Sequence, residues 1–214
     1  MRTLPVLLDI AHDMEELCPN AWLLNFSNPE TRIVLGVNKY TKIKCIGLCH
    51  GVFMARDDMA RMMGRDRLSI EVYAAGMNHF QWVLSVRDKE TGEQAIKVVT
   101  SIFFNERRHI PSAIVYNDGA ISQLPDDIAV EIPVMVDGDG VHKQVVRDMP
   151  AGIIGLLNQQ VSAQRLSVLA AAEGSAEIAL QALLCDPTIN STKAAVGIRD
   201  ELFEINRPYI RKCK

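Results

Sequence analysis

Three apolar segments of the sequence each end on a polar side chain that can bind a metal ion or hydrogen-bond a ligand. "AWLLNFSN" ends on Asn28, "KIKCIGLCH" ends on Cys49 and His50, and "YAAGMNH" ends on His79. In open parallel sheets, ligands bind outside the carboxyl ends of the strands. Three such endings in succession predict that these side chains share the rim of one pocket.

Cys49 and His79 are the two members of this set that suit a metal ion. They lie thirty positions apart, each at the end of a predicted strand, so neighbouring strands can bring both to one ion. A thiolate and an imidazole favour a divalent transition metal, and two protein ligands leave positions open for sugar oxygens and water. The alternative is that both are ordinary core or surface residues, as a lone cysteine and a lone histidine usually are.

The asparagines and His50 allow two interpretations each. Asn25 and Asn28 can donate hydrogen bonds to ligand hydroxyls, but asparagine before a proline is also typical of an Asx turn. From the residues alone, the turn is the better interpretation. His50 either faces the site or helps to begin the helix that follows at Gly51.

Other polar clusters have simpler explanations. Residues 137–140, Asp-Gly-Asp-Gly, lack the closing glutamate of a calcium loop and predict a hairpin turn instead. Asp57 and the cluster at residues 107–109 are typical of solvated surface charge. The 214 residues contain no GxGxxG, no GxSxG and no P-loop.

The predicted helices and strands that position these residues follow different patterns in the first and second halves of the chain. The first half alternates short apolar strands with helices over residues 4–17, 29–40 and 51–64, which indicates parallel βαβ units. Residues 129–146 predict a strand, a tight turn and a second strand, whereas residues 153–185 and 193–205 have helical spacing. The predicted fold class is α/β: an incomplete Rossmann-like parallel sheet over residues 1–80, then a mixed, largely helical C-terminal part over residues 81–214.

Composition excludes several classes of partner. The formal net charge is −3 and no apolar run approaches the roughly 18 residues that span a bilayer, so we expect neither nucleic acid nor a membrane as partner. Acidic residues follow the first apolar ones directly, which is unlike a signal peptide. The five cysteines are odd in number and scattered, which favours reduced thiols and a cytoplasmic location.

Five segments in order resemble the NAD- and manganese-dependent family 4 glycoside hydrolases, the relatives that act on α-galactosides, α-glucosides and α-glucuronides. They are "LPVLLDIAHDMEELCPNAWLLNFSNP", "GLCHG", "GMNHF", "LPDDIAVEIPVMVDGDGV" and "LCDP". The resemblance implies a fold of the lactate/malate dehydrogenase-like type and the cofactors NAD and Mn²⁺. It also implies hydrolysis of an α-glycosidic bond by oxidation of the sugar at C3, elimination and re-addition of water, chemistry outside the usual two-carboxylate scheme.

The resemblance also implies roles for single residues. Cys49 and His79 match the metal ligands, Asn28 matches the residue that holds sugar hydroxyls, and His50 matches a neighbour that faces the substrate. The "CHG" at residues 49–51 is more similar to relatives that act on uronic acids than to the "CHS" of α-galactosidases. No catalytic residue is assigned.

Two parts of the family pattern have no counterpart here. Relatives carry a glycine-rich NAD loop upstream of the segment with which this chain opens, so we expect that loop to be missing. We also expect an internal gap near residues 95–105, where relatives carry a long segment with the tyrosine proposed to remove the C2 proton. The tyrosines of this chain, at positions 40, 73, 116 and 209, do not fall in that motif.

The sequence therefore leads to one preferred function and three rivals. The preferred one is a family 4 α-glycosidase for a small sugar or glycoside, leaning towards α-glucuronides or α-galacturonides, in a possible homo-oligomer. The rivals are an α-galactosidase of the same family, an inactive remnant that only binds metal or sugar, and another NAD oxidoreductase of the dehydrogenase-like fold. The last would not explain Cys49 together with His79.

Overall fold

The computed structural model describes residues 3–88, 94–208 and 210, which form two compact units. The first unit comprises the described residues up to 45 and from 149 onward, and the second comprises residues 46–148. Phe80 lies in the second unit, at the start of a strand that pairs with the strand over residues 70–77.

Helices and strands alternate through most of the chain. In chain order the elements are α1 (Thr3–Leu17), β1 (Trp22–Asn25), α2 (Glu30–Tyr40), β2 (Lys44–Gly47), α3 (Gly51–Met62), β3 (Ile70–Met77), β4 (Phe80–Asp88), α4 (Gln94–Phe104), β5 (Arg108–Tyr116), β6 (Ala129–Asp137), β7 (Gly140–Lys143), α5 (Ala151–Glu173), α6 (Ala176–Cys185) and α7 (Thr192–Asn206).

The first unit is mainly helical. Helices α1, α2, α5, α6 and α7 pack against one another, and the long run of helical spacing predicted over residues 153–185 is divided between α5 and α6. The break falls at Gly174, whose φ of 66° ends α5 in the left-handed conformation that glycine adopts without strain. The next two helices begin on serines: the Ser175 hydroxyl accepts from the Ile178 N–H, and Ser191 does the same for Ala194.

The second unit is built on an antiparallel sheet. Its strands follow the order β2–β5–β6–β3–β4, and β7 pairs with the last part of β6. Strand β6 is almost entirely buried, which explains its near-continuous apolar sequence "AVEIPVMV". The core of this sheet includes Ile110, Ile114 and Ile132, which are fully buried, while α3 packs on β3 through Val52, Val72 and Ala74.

The fold class is confirmed as a mixed α/β fold. The hairpin predicted over residues 129–146 is present as β6 and β7 around the turn at residues 137–140. The parallel βαβ pattern expected of the first half does not extend to β3 and β4, because the two-residue turn between them makes the pair antiparallel. Residues 95–105, near which we expect a gap relative to the family, lie mostly in α4; residues 89–93 and Tyr209 lie outside the described residues.

No helix in these described ranges is both long enough and apolar enough to cross a membrane.

The connection between β5 and β6 depends on one buried side chain, Asn117. Its amide nitrogen donates to the carbonyl oxygens of Ile121 at 3.1 Å, Leu124 at 3.2 Å and Pro125 at 2.9 Å, and its oxygen accepts from the Ile121 N–H at 2.7 Å. Since the side chain is fully buried, no water can replace these bonds.

We therefore expect Asn117→Ala to lower the free energy of unfolding by about 2–4 kcal/mol, because it leaves several buried backbone groups without partners. Urea denaturation in a Trp22→Phe background measures this, since the fluorescence of Trp82 then reports on the second unit alone.

The matched control is Asn158→Ala, which removes an exposed asparagine whose amide donates to the Ile154 carbonyl on the surface of α5. We expect it to change stability by less than about 0.5 kcal/mol. Equal losses in both variants would contradict the role of Asn117.

Candidate functional site

Cys49 and His50 form the connection between β2 and α3. Cys49 is half-buried and not in a disulfide, and its Sγ accepts a hydrogen bond from the Gly51 N–H at 3.4 Å. His50 is the residue before the first turn of α3, where its carbonyl oxygen accepts from the Phe53 N–H at 3.0 Å. Its side chain makes no capping bond and is exposed, with its ring centroid 6.0 Å from that of Phe53. The sulfur and the imidazole are therefore both accessible from one helix start.

His79 lies in the tight turn that joins β3 to β4. Its φ of 62° is in the left-handed region, and its side chain is exposed. The preceding residue, Asn78, turns inward and donates from Nδ2 to the Glu131 carboxylate at 3.1 Å. The turn thus has one side chain tied to the interior and one, His79, presented at the surface.

The interior anchor is a buried carboxylate, Glu131, which is 1% exposed in the middle of β6. Oε1 accepts from the Ser112 hydroxyl at 2.6 Å, and Oε2 accepts from Asn78. In the orientation that satisfies both atoms of its amide, Gln81 donates to Oε1 at 3.1 Å and accepts from the Val52 N–H at 3.3 Å. Because a buried carboxyl group needs hydrogen-bond partners, this cluster is well suited to fix its members.

Gly76 makes the cluster possible. It lies between Gln81 on β4 and Glu131 on β6, paired with both. Strands β4 and β6 lie on either side of β3, so they are about 10 Å apart. The long side chains of Gln81 and Glu131 can meet across this distance because Gly76, between them, has no side chain. A Cβ at position 76 would lie 2.6 Å from the Phe80 carbonyl oxygen, and φ here is 148°, so only glycine fits.

The cluster connects the two segments that carry the predicted metal ligands. Asn78 is adjacent to His79, while Gln81 contacts the first turn of α3, directly after Cys49. Among the residues that the structure describes, no three His, Cys, Asp or Glu side chains are grouped as a metal site.

Asn28 lies in the first unit, whereas Cys49, His50 and His79 lie in the second. Its neighbour Asn25 is 3% exposed and closes an Asx turn: Nδ2 donates to the Ser27 carbonyl at 2.9 Å, and Oδ1 accepts from the Ser27 N–H at 3.2 Å. The turn interpretation is therefore confirmed for Asn25. Asn28 itself is exposed at the end of this turn.

Cys45 and Cys49 lie four residues apart but differ in burial: Cys45 is buried, whereas Cys49 is half-buried. Desolvation, with a smaller contribution from the nearby Glu30 carboxylate, raises the pKa of the Cys45 thiol to about 12. A thiol of this kind stays protonated at neutral pH and makes a poor metal ligand. Cys49, which is half-buried, is the better ligand of the two.

The remaining polar clusters of the sequence are surface ion pairs. Arg108 pairs with Glu106, and His109 Nδ1 lies 3.7 Å from the Glu71 carboxylate. Asp57 accepts from Arg56 and pairs with Arg67, and the hydrogen bond from Arg56 lowers the pKa of its carboxyl. These contacts agree with the interpretation as solvated charge.

Sequence reasoning missed Glu131, Ser112 and Gln81. The signal for Glu131 was available, because a glutamate inside a strand as apolar as "AVEIPVMV" must be paired if that strand is buried. Its partners could not be found in the same way, since Ser112 and Gln81 are of residue types that are ordinarily exposed.

Some known proteins resemble only a part of this chain, and others resemble all of it. An α-galactosidase of Bacillus subtilis (strain 168) is 46% identical over 91 residues, which is 42% of this chain and 21% of that relative. An α-galacturonidase of Thermoanaerobacterium saccharolyticum is 35% identical over 98 residues, again 42% of this chain and 21% of that relative. An α-glucosidase of Erwinia rhapontici is 22% identical over 333 residues, covering 100% of this chain and 73% of the relative.

Solved structures share the fold. A 6-phospho-α-glucosidase from gut microorganisms, in complex with NAD and Mn²⁺, has a TM-score of 0.86 at 20% identity, covering 100% of this chain and 73% of the other. The malate dehydrogenase of Aeropyrum pernix has a TM-score of 0.63 at 14% identity over 78% of this chain and 68% of the other. The second match agrees with the dehydrogenase-like type that the resemblance implied.

Two family models match in chain order. Residues 1–65 match the model described as family 4 glycosyl hydrolase, and residues 87–189 match the model of the C-terminal domain of the same family. The chain belongs to family 4 of the glycosyl hydrolases.

Proposed function

We propose that this chain carries the metal- and sugar-binding part of an α-glycosidase that acts on galacto-configured sugars, with uronides preferred. The observation that carries the proposal is the connection of the Cys49 and His79 segments through the Glu131 carboxylate. Two relatives support the class of substrate, since an α-galactosidase and an α-galacturonidase act on sugars of one configuration that differ at C6.

The donors present fit a divalent metal ion such as Mn²⁺. Cys49 supplies sulfur and His79 supplies an imidazole nitrogen, which together suit a transition metal with open coordination positions. When bound, the ion supplies Lewis acidity at the sugar oxygens on C2 and C3, and NAD supplies a reversible hydride acceptor for C3. The 214 residues contain no GxGxxG loop, so we assign no NAD-contacting residue within them.

The chain's own residues would hold and orient the sugar. Asn28, exposed after the turn at Asn25, is proposed to hydrogen-bond sugar hydroxyls, and exposed His50 is proposed to face the sugar beside Cys49. Such contacts accelerate the reaction by fixing C2 and C3 in one orientation before the C2 proton is lost and the glycosidic oxygen leaves. The base that removes that proton is not assigned to any residue of this chain.

An internal gap relative to the family is supported by the alignment with the α-glucosidase of Erwinia rhapontici. That alignment extends over 333 residues although this chain has 214. The gap is proposed to lie near residues 95–105, in and just after α4. The domain division at residue 80, the cytoplasmic location and homo-oligomerisation stay predictions of the sequence.

A second candidate, α-galactosidase, is favoured by the higher identity to that relative, 46% against 35%. The uronide preference instead depends on Gly51. A side chain at this position would begin 3.4 Å from an amide atom of Gln81 and 3.7 Å from Cys49 Sγ, so it would narrow the space beside the sulfur. Glycine leaves that space for the larger, charged C6 group of a uronide.

We expect any nitrophenol release by the full chain, in the presence of NAD, Mn²⁺ and reductant, to be faster from nitrophenyl α-galacturonide than from the α-galactoside, α-glucuronide and α-glucoside. Loss of the sulfur ligand in Cys49→Ser should reduce kcat/KM by more than about 100-fold, which exceeds the usual effect of groups around a ligand. The measurement is kcat/KM for each substrate.

Cys45→Ala is the matched control, because it removes a nearby thiol that is buried and protonated. It should keep most of the activity. Activity that survives in Cys49→Ser would contradict the metal assignment, and a folded wild-type chain without turnover would support the remnant that only binds metal or sugar.

Gly51→Ser should shift the preference from the α-galacturonide towards the α-galactoside. The contacts at position 51 are ordinary van der Waals distances, so we expect the variant to fold and to change the ratio of the two kcat/KM values about tenfold. Gly152→Ser, in the first turn of α5 with open space around it, is the control that should leave the ratio unchanged. An unchanged ratio in Gly51→Ser would remove the argument for uronides.

A further inference from the structure

We propose that Glu131 is a positioning residue that holds the start of α3 and the β3–β4 turn in one fixed arrangement, and so sets the affinity for the metal. The hydrogen-bond partners of Glu131 are the side chains of Ser112, Asn78 and Gln81. Glu131 acts through Asn78, next to His79, and through Gln81, which reaches Val52 in the first turn after Cys49. The inference about metal affinity rests on the proposed function, whereas the coupling of the two segments does not.

The argument begins with the cost of burying a carboxylate. A carboxyl group that is 1% exposed is tolerated only if hydrogen bonds replace its water, and the bonds to Glu131 from Ser112, Asn78 and Gln81 all come from side chains. Each of these donors is therefore held in place by the same carboxyl group. Moving any one of them would leave the carboxylate less satisfied, which makes the cluster resist separate movement of its members.

The second step is the position of the cluster in the sheet. Glu131 pairs with Gly76 of β3 on one side and with Ile114 of β5 on the other. Its backbone is thus fixed from two sides in the middle of a sheet. A side chain anchored in this way is a rigid reference for the turn at residues 78–79, where His79 adopts a left-handed conformation that is uncommon for residues other than glycine.

The third step is the use of Gln81 as a bridge. Its amide donates to Glu131 at one end and accepts from the Val52 N–H at the other. This N–H belongs to the first turn of α3, where helices leave backbone donors without intrahelical partners. The bridge therefore fixes the start of α3, and with it the loop that carries Cys49, relative to the turn that carries His79.

The experiment compares Glu131→Leu, Gln81→Leu and wild type by hydrogen exchange on the metal-free full chain. Glu131→Leu should increase exchange in both residues 50–54 and residues 77–81. Gln81→Leu should increase exchange only at the start of α3, since Asn78 keeps its acceptor. Gln81 is partly exposed, so this variant remains informative if Glu131→Leu fails to fold.

The second measurement is titration with Co²⁺ alone, following the near-ultraviolet absorption of a cobalt–thiolate bond. The dissociation constant should increase about 10- to 100-fold in both variants, as for other groups that orient ligands without touching the metal. Asn117→Ala is the matched control: it disturbs another buried polar cluster of the second unit, and its Co²⁺ affinity should equal that of the wild type.

The outcomes separate the coupling from the metal site. Unchanged exchange in either segment of Glu131→Leu, or equal losses of affinity in Gln81→Leu and Asn117→Ala, would overturn the positioning role. Coupled exchange without any Cys49-dependent absorption in the wild type would support the positioning of the segments and overturn only the metal assignment of the proposed function.

Discussion

A buried carboxyl group, that of Glu131, organises the candidate site. Glu131 lies in the centre of the most buried strand, where its carboxylate is stable only while neighbouring side chains donate to it. Ser112, Asn78 and Gln81 meet that demand from three different strands or turns. Because burial of the Glu131 side chain is unfavourable without these hydrogen bonds, it fixes the strands and turns that supply the donors in one arrangement.

Other features of the second unit support the hydrogen-bonded arrangement around Glu131. Gly76 leaves room for Gln81 to reach Glu131, and the tight turn that follows presents His79 at the surface. Strand β6 is held on both sides, so the carboxylate cannot shift with the turn. A site that binds a metal through only two protein ligands needs such external rigidity, because the ion itself contributes few bonds to hold it together.

Much of this fold could be predicted from the sequence, because local patterns determine it. Alternation of apolar strands and helices, Gly174 at a helix end and the Asp-Gly turn before β7 all act over a few residues. The order of strands in the antiparallel sheet could not be predicted, and neither could the assembly of the first unit from residues up to 45 and from 149 onward. Both depend on contacts between segments that are distant in the sequence. The same difference applies to the site: Cys49 and His79 were proposed because they end predicted strands, whereas the partners of Glu131 are brought to it by pairing between distant strands.

The central claim is that Cys49 and His79 bind the same ion, and X-ray absorption at the cobalt edge of the Co²⁺-loaded full chain tests it most directly. The account predicts one sulfur scatterer at about 2.3 Å, the usual metal–thiolate distance, together with the multiple-scattering pattern of one imidazole. It also predicts that the sulfur disappears in Cys49→Ser and the imidazole pattern in His79→Ala. A first shell of oxygen atoms alone in the wild type would contradict the shared metal site.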